Sequence, residues 1–97
     1  MISVKIHVRG SERLLAACDE ELLGKTFTEN EMRLKVSEAF YKGETITEEA
    51  FRERMRSVTI MNLVGGRTVR IAKEEGYVSS DAVITIDGTE HAQAVMM

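Results

Sequence analysis

Five consecutive residues, Phe40-Tyr41-Lys42-Gly43-Glu44, carry the densest potential for chemistry in this chain. The aromatic rings can stack on a ligand, Lys42 can clamp it, and Gly43 permits close backbone approach. The segment sits between a strand-like run and a helix start, where a loop displays side chains without disturbing a core. The same residues also suit a structural role. An aromatic ring plugs the core edge, Gly43 turns the chain, and Glu44 lies near the positive end of the next helix. Tyr41, Lys42, Gly43 and Glu44 are therefore candidate binding residues.

A second pattern is cationic. Lys5, His7 and Arg9 share one face of the first strand, and Arg33 and Lys35 share the polar face of another. If those strands are neighbours, the cations meet on one sheet surface that can follow a phosphate backbone. The aromatic stacking platform usual on RNA-binding sheets is missing from this pattern, and a solvated strand face paired with glutamates is the simpler explanation of it.

Other combinations offer less. Gly65-Gly66-Arg67 before a helix start has the look of an anion site, but neither a preceding strand nor Walker-type spacing is read, which favours a hinge or close helix packing. Asn62 falls inside an apolar stripe, where its amide either bonds the backbone or lines a pocket. His7, Cys18, Asp19 and His91 lack any close ligand spacing, so no metal site and no cofactor are expected. Cys18 is followed by Asp19, Glu20 and Glu21, which raise a thiol pKa rather than activate it.

These residues must be held by regular elements. Ile2, Val4, Ile6 and Val8 alternate with Ser3, Lys5 and His7 as a strand. Arg13 to Cys18 reads as a returning strand and is equally compatible with a helix. Glu20 to Leu23 reads as a short helix capped by Asp19, and Met32 to Lys35 as a strand. Thr45 and Thr47 compete to cap a main helix over about 48–64, in which Phe51, Met55, Val58 and Asn62 share a face. Its end is apolar nearly all round, so Ile60, Leu63 and Val64 call for a second helix or a partner subunit as cover. A further helix over 67–75 ends at Gly76. Asp87-Gly88 predicts a two-residue turn joining two closing strands, 82–86 and 89–95, which brings His91 opposite Ile84.

The chain has 97 residues, 43% of them apolar, enough for one domain (1–97) with one modest core. Its net charge of −3, from 13 basic and 16 acidic residues, argues against a general affinity for nucleic acid or anionic membrane, though not against a local basic face. No apolar run approaches a membrane span. The single cysteine and the absence of a secretory signal pattern predict a reducing, cytoplasmic setting.

Met1-Ile2-Ser3-Val4-Lys5-Ile6-His7, Leu14-Leu15-Ala16-Ala17-Cys18-Asp19, Phe40-Tyr41-Lys42-Gly43-Glu44, Asn62-Leu63-Val64-Gly65 and Ala72-Lys73-Glu74-Glu75-Gly76 together resemble a family of short archaeal proteins, domain-of-unknown-function family 424. The resemblance covers nearly the whole chain. It implies an archaeal, cytoplasmic, single-domain α/β protein in the company of translation genes, and it supplies no catalytic residues.

The resulting expectation is an α+β, two-layer fold: a small mixed sheet with helices on one face and a C-terminal β-hairpin. The leading functional expectation is a non-enzymatic accessory protein that binds RNA or a ribonucleoprotein through Lys5, His7, Arg9, Arg33, Lys35, the Tyr41–Glu44 segment and Asn62. The alternatives are a small enzyme with a pocket near Cys18, Tyr41, Lys42, Glu44 and Asn62, and a protein-interaction module or homodimer built on Ile60, Leu63 and Val64.

Overall fold

The computed structural model describes residues 1–96. Its elements in chain order are β1 (Ile2–Arg9), β2 (Glu12–Asp19), β3 (Thr26–Glu29), β4 (Met32–Lys35), α1 (Glu38–Tyr41), β5 (Glu44–Ile46), α2 (Glu48–Arg54), β6 (Ile60–Val64), α3 (Gly66–Glu74), β7 (Ile84–Ile86) and β8 (Thr89–Val95). Six strands form a mixed sheet in the order β5-β1-β2-β6-β8-β7, and β3 and β4 form a separate hairpin. Only β2 and β6 run parallel; the other pairs are antiparallel. The expected α+β fold with its C-terminal hairpin is therefore present.

The alternation of β1 and β2 assigns the two sheet faces. Ile2, Val4, Leu15 and Ala17 join Met61 and Leu63 beneath α2 and α3, where Phe51, Met55, Val69, Ile71 and Ala72 complete the larger core. Helix α2 has seven residues, too few to stand alone in water, so burial of Phe51 and of Met55 just beyond it holds it in place. Thr47, not Thr45, caps it by accepting the Ala50 N–H at 3.1 Å. Arg52 reaches across to Glu74 at the end of α3 and Glu75 just beyond it, both at 2.8 Å, while Glu48 meets Arg70.

The second sheet face has its own, smaller core. Ala16, Cys18, Val64 and Ile86 are covered there by Leu34, Val36 and Tyr41. Helix α1 thus lies on the face opposite α2 and α3.

The largest correction concerns the main helix. It ends at Arg54, passes through one 3-10 turn at Met55–Ser57, and gives way to β6. The all-round apolar character of 60–64 is that of a central strand buried on both faces, not of a helix end awaiting a partner. Leu63 and Val64 are fully buried in this chain's own two cores, so they offer no surface to a second subunit; Ile60 alone is half-buried. β3 and β5 were not expected, and the Phe40–Glu44 segment is helix end and edge strand rather than loop. The hairpin turn is as expected: Asp87 and Gly88 both take positive φ, 50° and 78°.

Candidate functional site: the open end of the second sheet face

Register places side chains of neighbouring strands in rows across the second face. One row runs His7, Leu14, Ile60, Val95, and the next runs Lys5, Ala16, Asn62, Gln93. A third runs Ser3, Cys18, Val64, His91 and Ile84. Helix α1 and the β3–β4 hairpin cover Ser3, Cys18 and Val64 of the third row but not its β7–β8 end, where Ile84 is exposed and His91 half-buried, while the first row stays open as the floor of a depression of about 610 Å3. Leu14 and Ile60 form that floor, with Phe40, His7, Arg9 and Glu12 around it.

Helix α1 positions the wall, and β1 holds α1. The Ser3 hydroxyl donates to the Tyr41 carbonyl at 2.9 Å and Lys5 Nζ to the Ala39 carbonyl at 2.9 Å. His7 Nε2 lies 2.8 Å from the Phe40 carbonyl, and because a carbonyl only accepts, the proton sits on Nε2. Every polar side chain that β1 directs to this face before Arg9 therefore engages the backbone of α1. The His7 ring lies on Phe40, with centroids 4.7 Å apart and planes 17° apart. Phe40 in turn meets Tyr41 edge to face at 4.9 Å.

The expected five-cation surface does not form. Arg33 and Lys35 belong to the separate hairpin, which packs near β7, and β2, β6 and β8 lie between β7 and β1. Lys5 is committed to α1. Arg9, exposed at the rim, is the cation of that set that remains beside the depression. The Tyr41–Glu44 group also divides. Lys42 is exposed, Gly43 packs its backbone against β1, and Glu44 turns away to meet Arg54 at 3.2 Å.

Part of the supposed enzyme pocket does assemble. Tyr41 donates its hydroxyl to Asn62 Oδ1 at 2.5 Å, close to the buried Cys18. Neither ionisable group there is primed as a nucleophile or a base at neutral pH. Burial, reinforced by Asp19 and Glu21, pushes the Cys18 thiol up to about 12. Burial, reinforced by Cys18, pushes the Tyr41 phenol up to about 12. Both stay protonated, so neither supplies an anionic nucleophile or base. The sign of the linkage follows: stability from these neutral groups is intact below their unfolded values, near 9 and 10, and is lost as pH rises toward 12. The melting temperature is expected to fall on raising pH from 9 to 11. Cys18→Ala with Tyr41→Phe should flatten that fall; an unchanged slope in the double variant would remove this explanation. Among the described residues no cluster of three His, Cys, Asp or Glu side chains could hold a metal ion.

Gly65-Gly66-Arg67 proves to have a strand before it after all. β6 enters the turn and α3 leaves it, but the helix N-terminus is already occupied. Asp19, expected to cap the short helix after β2, turns its carboxylate to α3 instead. It accepts from Thr68 N at 2.9 Å, Thr68 Oγ1 at 2.8 Å and Arg67 N at 3.2 Å. Arg67 then binds Glu21 through two nitrogens at 2.6 and 2.8 Å, which holds the Glu21 carboxyl down at about 2. An internal carboxylate fills the place an external anion would take.

Sequence reasoning missed Leu14 and Ile60 as floor residues, because Ile60 reads as an apolar helix end calling for a partner and Leu14 as part of a run that suits strand or helix alike. Phe40 was visible in the motif but not separable from Tyr41, which is the buried one of the pair.

Comparison with known proteins gives fold and family. The chain is similar to the crystal structure of an uncharacterized conserved protein from Methanopyrus kandleri, with a TM-score of 0.83 and 24% identity over 99% of this chain and 93% of that one. That likeness supports the fold alone. No curated protein matches. The family described as "Protein of unknown function (DUF424)" matches residues 6–97, nearly the whole chain, and the protein belongs to that family.

Proposed function

We propose that this protein is a non-enzymatic accessory binding protein that contacts single-stranded RNA, free or within a ribonucleoprotein of the translation apparatus, through the open end of the second sheet face. The observation that carries the reading is the His7–Phe40 stack beside an apolar floor with Arg9 at the rim. Unpaired bases stack on such rings, and an arginine beside them meets the adjoining phosphate.

On this reading the contact is led by bases rather than by phosphates. With Lys5 held by α1 and Arg33 and Lys35 on a separate hairpin, few cations are available to displace counterions. The salt dependence of binding should therefore be shallow, with a log–log slope of about −1. An overall charge of −3 fits such a selective, weakly electrostatic contact better than a general polyanion binder.

Fluorescence anisotropy with a labelled single-stranded RNA tests the reading. Arg9→Glu is expected to weaken binding about tenfold at low salt, as reversal of a phosphate-contacting charge should. Arg33→Glu with Lys35→Glu is expected to leave it unchanged. The reverse outcome, with the hairpin variant losing affinity and Arg9→Glu retaining it, would move the contact to another surface.

A further inference from the structure

The second sheet face does not end at the first depression. Beyond the Asn62–Gln93 row lies another, of about 370 Å3, lined by Ala82, Ile84, His91, Ala92 and Gln93. Asn62 stands two residues along β6 from Ile60 in the first depression, and its partner in register, Gln93, lines the second.

Two features suggest that this row is built to read a ligand. Asn62 Oδ1 accepts the Tyr41 hydroxyl at 2.5 Å, a length that suits O–H···O. Its Nδ2 is left with two donors on the open face, beside the exposed amide of Gln93. In addition, each depression holds one imidazole whose rotation is set by a backbone carbonyl. His91 Nδ1 donates to the Leu63 carbonyl at 2.9 Å, as His7 Nε2 does to that of Phe40. A ring so held presents a fixed face for stacking.

Charge on this face suits a single phosphate contact rather than many. Arg9 lies at the rim of the first depression beside Glu12, while Lys5 is held by the Ala39 carbonyl. The acids Glu48, Glu74 and Glu75 lie on or at the end of the helices on the opposite face, where Arg52 and Arg70 pair with them.

We propose that the two depressions together hold two unpaired bases of one RNA strand, one against the His7–Phe40 pair and one against His91, while Asn62 and Gln93 read base edges between them. This rests on the RNA-binding reading and adds a register to it. From β1 to β8 is three strand spacings, about 14 Å, and His91 lies four residues farther along the strands than His7, about 13 Å, so the two bases are held about 19 Å apart and a mononucleotide cannot bridge them. A base paired inside a duplex cannot reach either site.

The test is anisotropy titration of the full chain with a short labelled single-stranded RNA, its duplex, and a labelled mononucleotide. Wild type should prefer the single strand to both others. His91→Ala with Gln93→Ala should lose about tenfold on the single strand, the usual scale for one stacked base. Phe40→Leu, which keeps apolar volume but removes the ring, should lose a similar factor. Gln93→Glu, at an exposed position that spares the fold, should also weaken binding. Wild-type affinity in both the His91/Gln93 and the Gln93→Glu variants, with loss in Phe40→Leu, would overturn the two-base register and leave the RNA reading standing. No binding of the single strand by wild type would overturn both.

Discussion

Gly65→Ala is expected to destabilise the protein by about 4 kcal/mol, from positive-φ strain and overpacking together. For a chain this short that corresponds to a fall of about 20 °C in melting temperature. Gly65 sits at φ 107° and ψ 150°, a region open in practice to glycine alone. A Cβ there would strike the Asp19 carboxylate, with both oxygens at 2.7 Å and the carboxyl carbon closer still. Asp19 cannot swing aside, because it is buried and its oxygens hold Thr68 N, Thr68 Oγ1 and Arg67 N. A double-mutant cycle checks the cause. In an Asp19→Ala background the clash partner is gone, so Gly65→Ala should cost about 1–2 kcal/mol less than in wild type. Strict additivity of the two substitutions would show that the carboxylate is not the obstacle.

Gly43→Ala should have the next largest effect, and it links stability to binding. A Cβ at Gly43 would run into the Val4 carbonyl oxygen and lie 3.2 Å from Lys5 Cα, both parts of the β1 backbone. Unlike a flexible side chain, that backbone cannot yield without disturbing the β1–β2 and β1–β5 ladders. The chain must instead lift away between α1 and β5, loosening the bonds of Ser3, Lys5 and His7 to the carbonyls of α1. We expect a loss of about 2–3 kcal/mol, the scale of overpacking a tight contact. RNA affinity should fall in the same variant below its melting transition, because the His7–Phe40 stack rides on that helix. Thermal melting and anisotropy at 25 °C read the two effects separately. Wild-type values in both would contradict the role given to this contact.

What was legible in the sequence follows from which interactions are local. The Asp87-Gly88 turn, the alternation of β1 and the helix stop at Gly76 are decided by residues within a few positions, and all three are present. The strand β6 was misread because its code is not local. A strand buried on both faces is apolar throughout, and over five residues that cannot be told from a buried helix turn by periodicity. The β-branched Thr59, Ile60 and Val64 and the preceding Ser57 were the available signal. The error carried into the site. Read as helical, Asn62 shares a face with Phe51 and Met55; as a strand residue it points to the opposite sheet face and meets Tyr41.

The candidate site was half legible for the same reason. The Phe40–Glu44 motif was rightly singled out, yet its residues separate: Phe40 to the depression, Tyr41 to the core, Glu44 to α2. The gathering of Lys5, His7 and Arg9 with Arg33 and Lys35 depended on strand order, which hydrophobic pattern does not encode. Asp19 is a similar case. It has the right chemistry for an N-cap at the helix next to it in sequence, but the helix it caps begins 47 residues later in the chain, at Gly66.

The most direct test of the RNA-binding account is amide and side-chain chemical-shift mapping of isotope-labelled protein titrated with a short single-stranded RNA. The account predicts saturable shifts at His7, Arg9, Leu14, Phe40 and Ile60, with α2 and α3 unmoved. Shifts confined to α2 and α3 or to the β3–β4 hairpin, or no saturable shift at all, would contradict it.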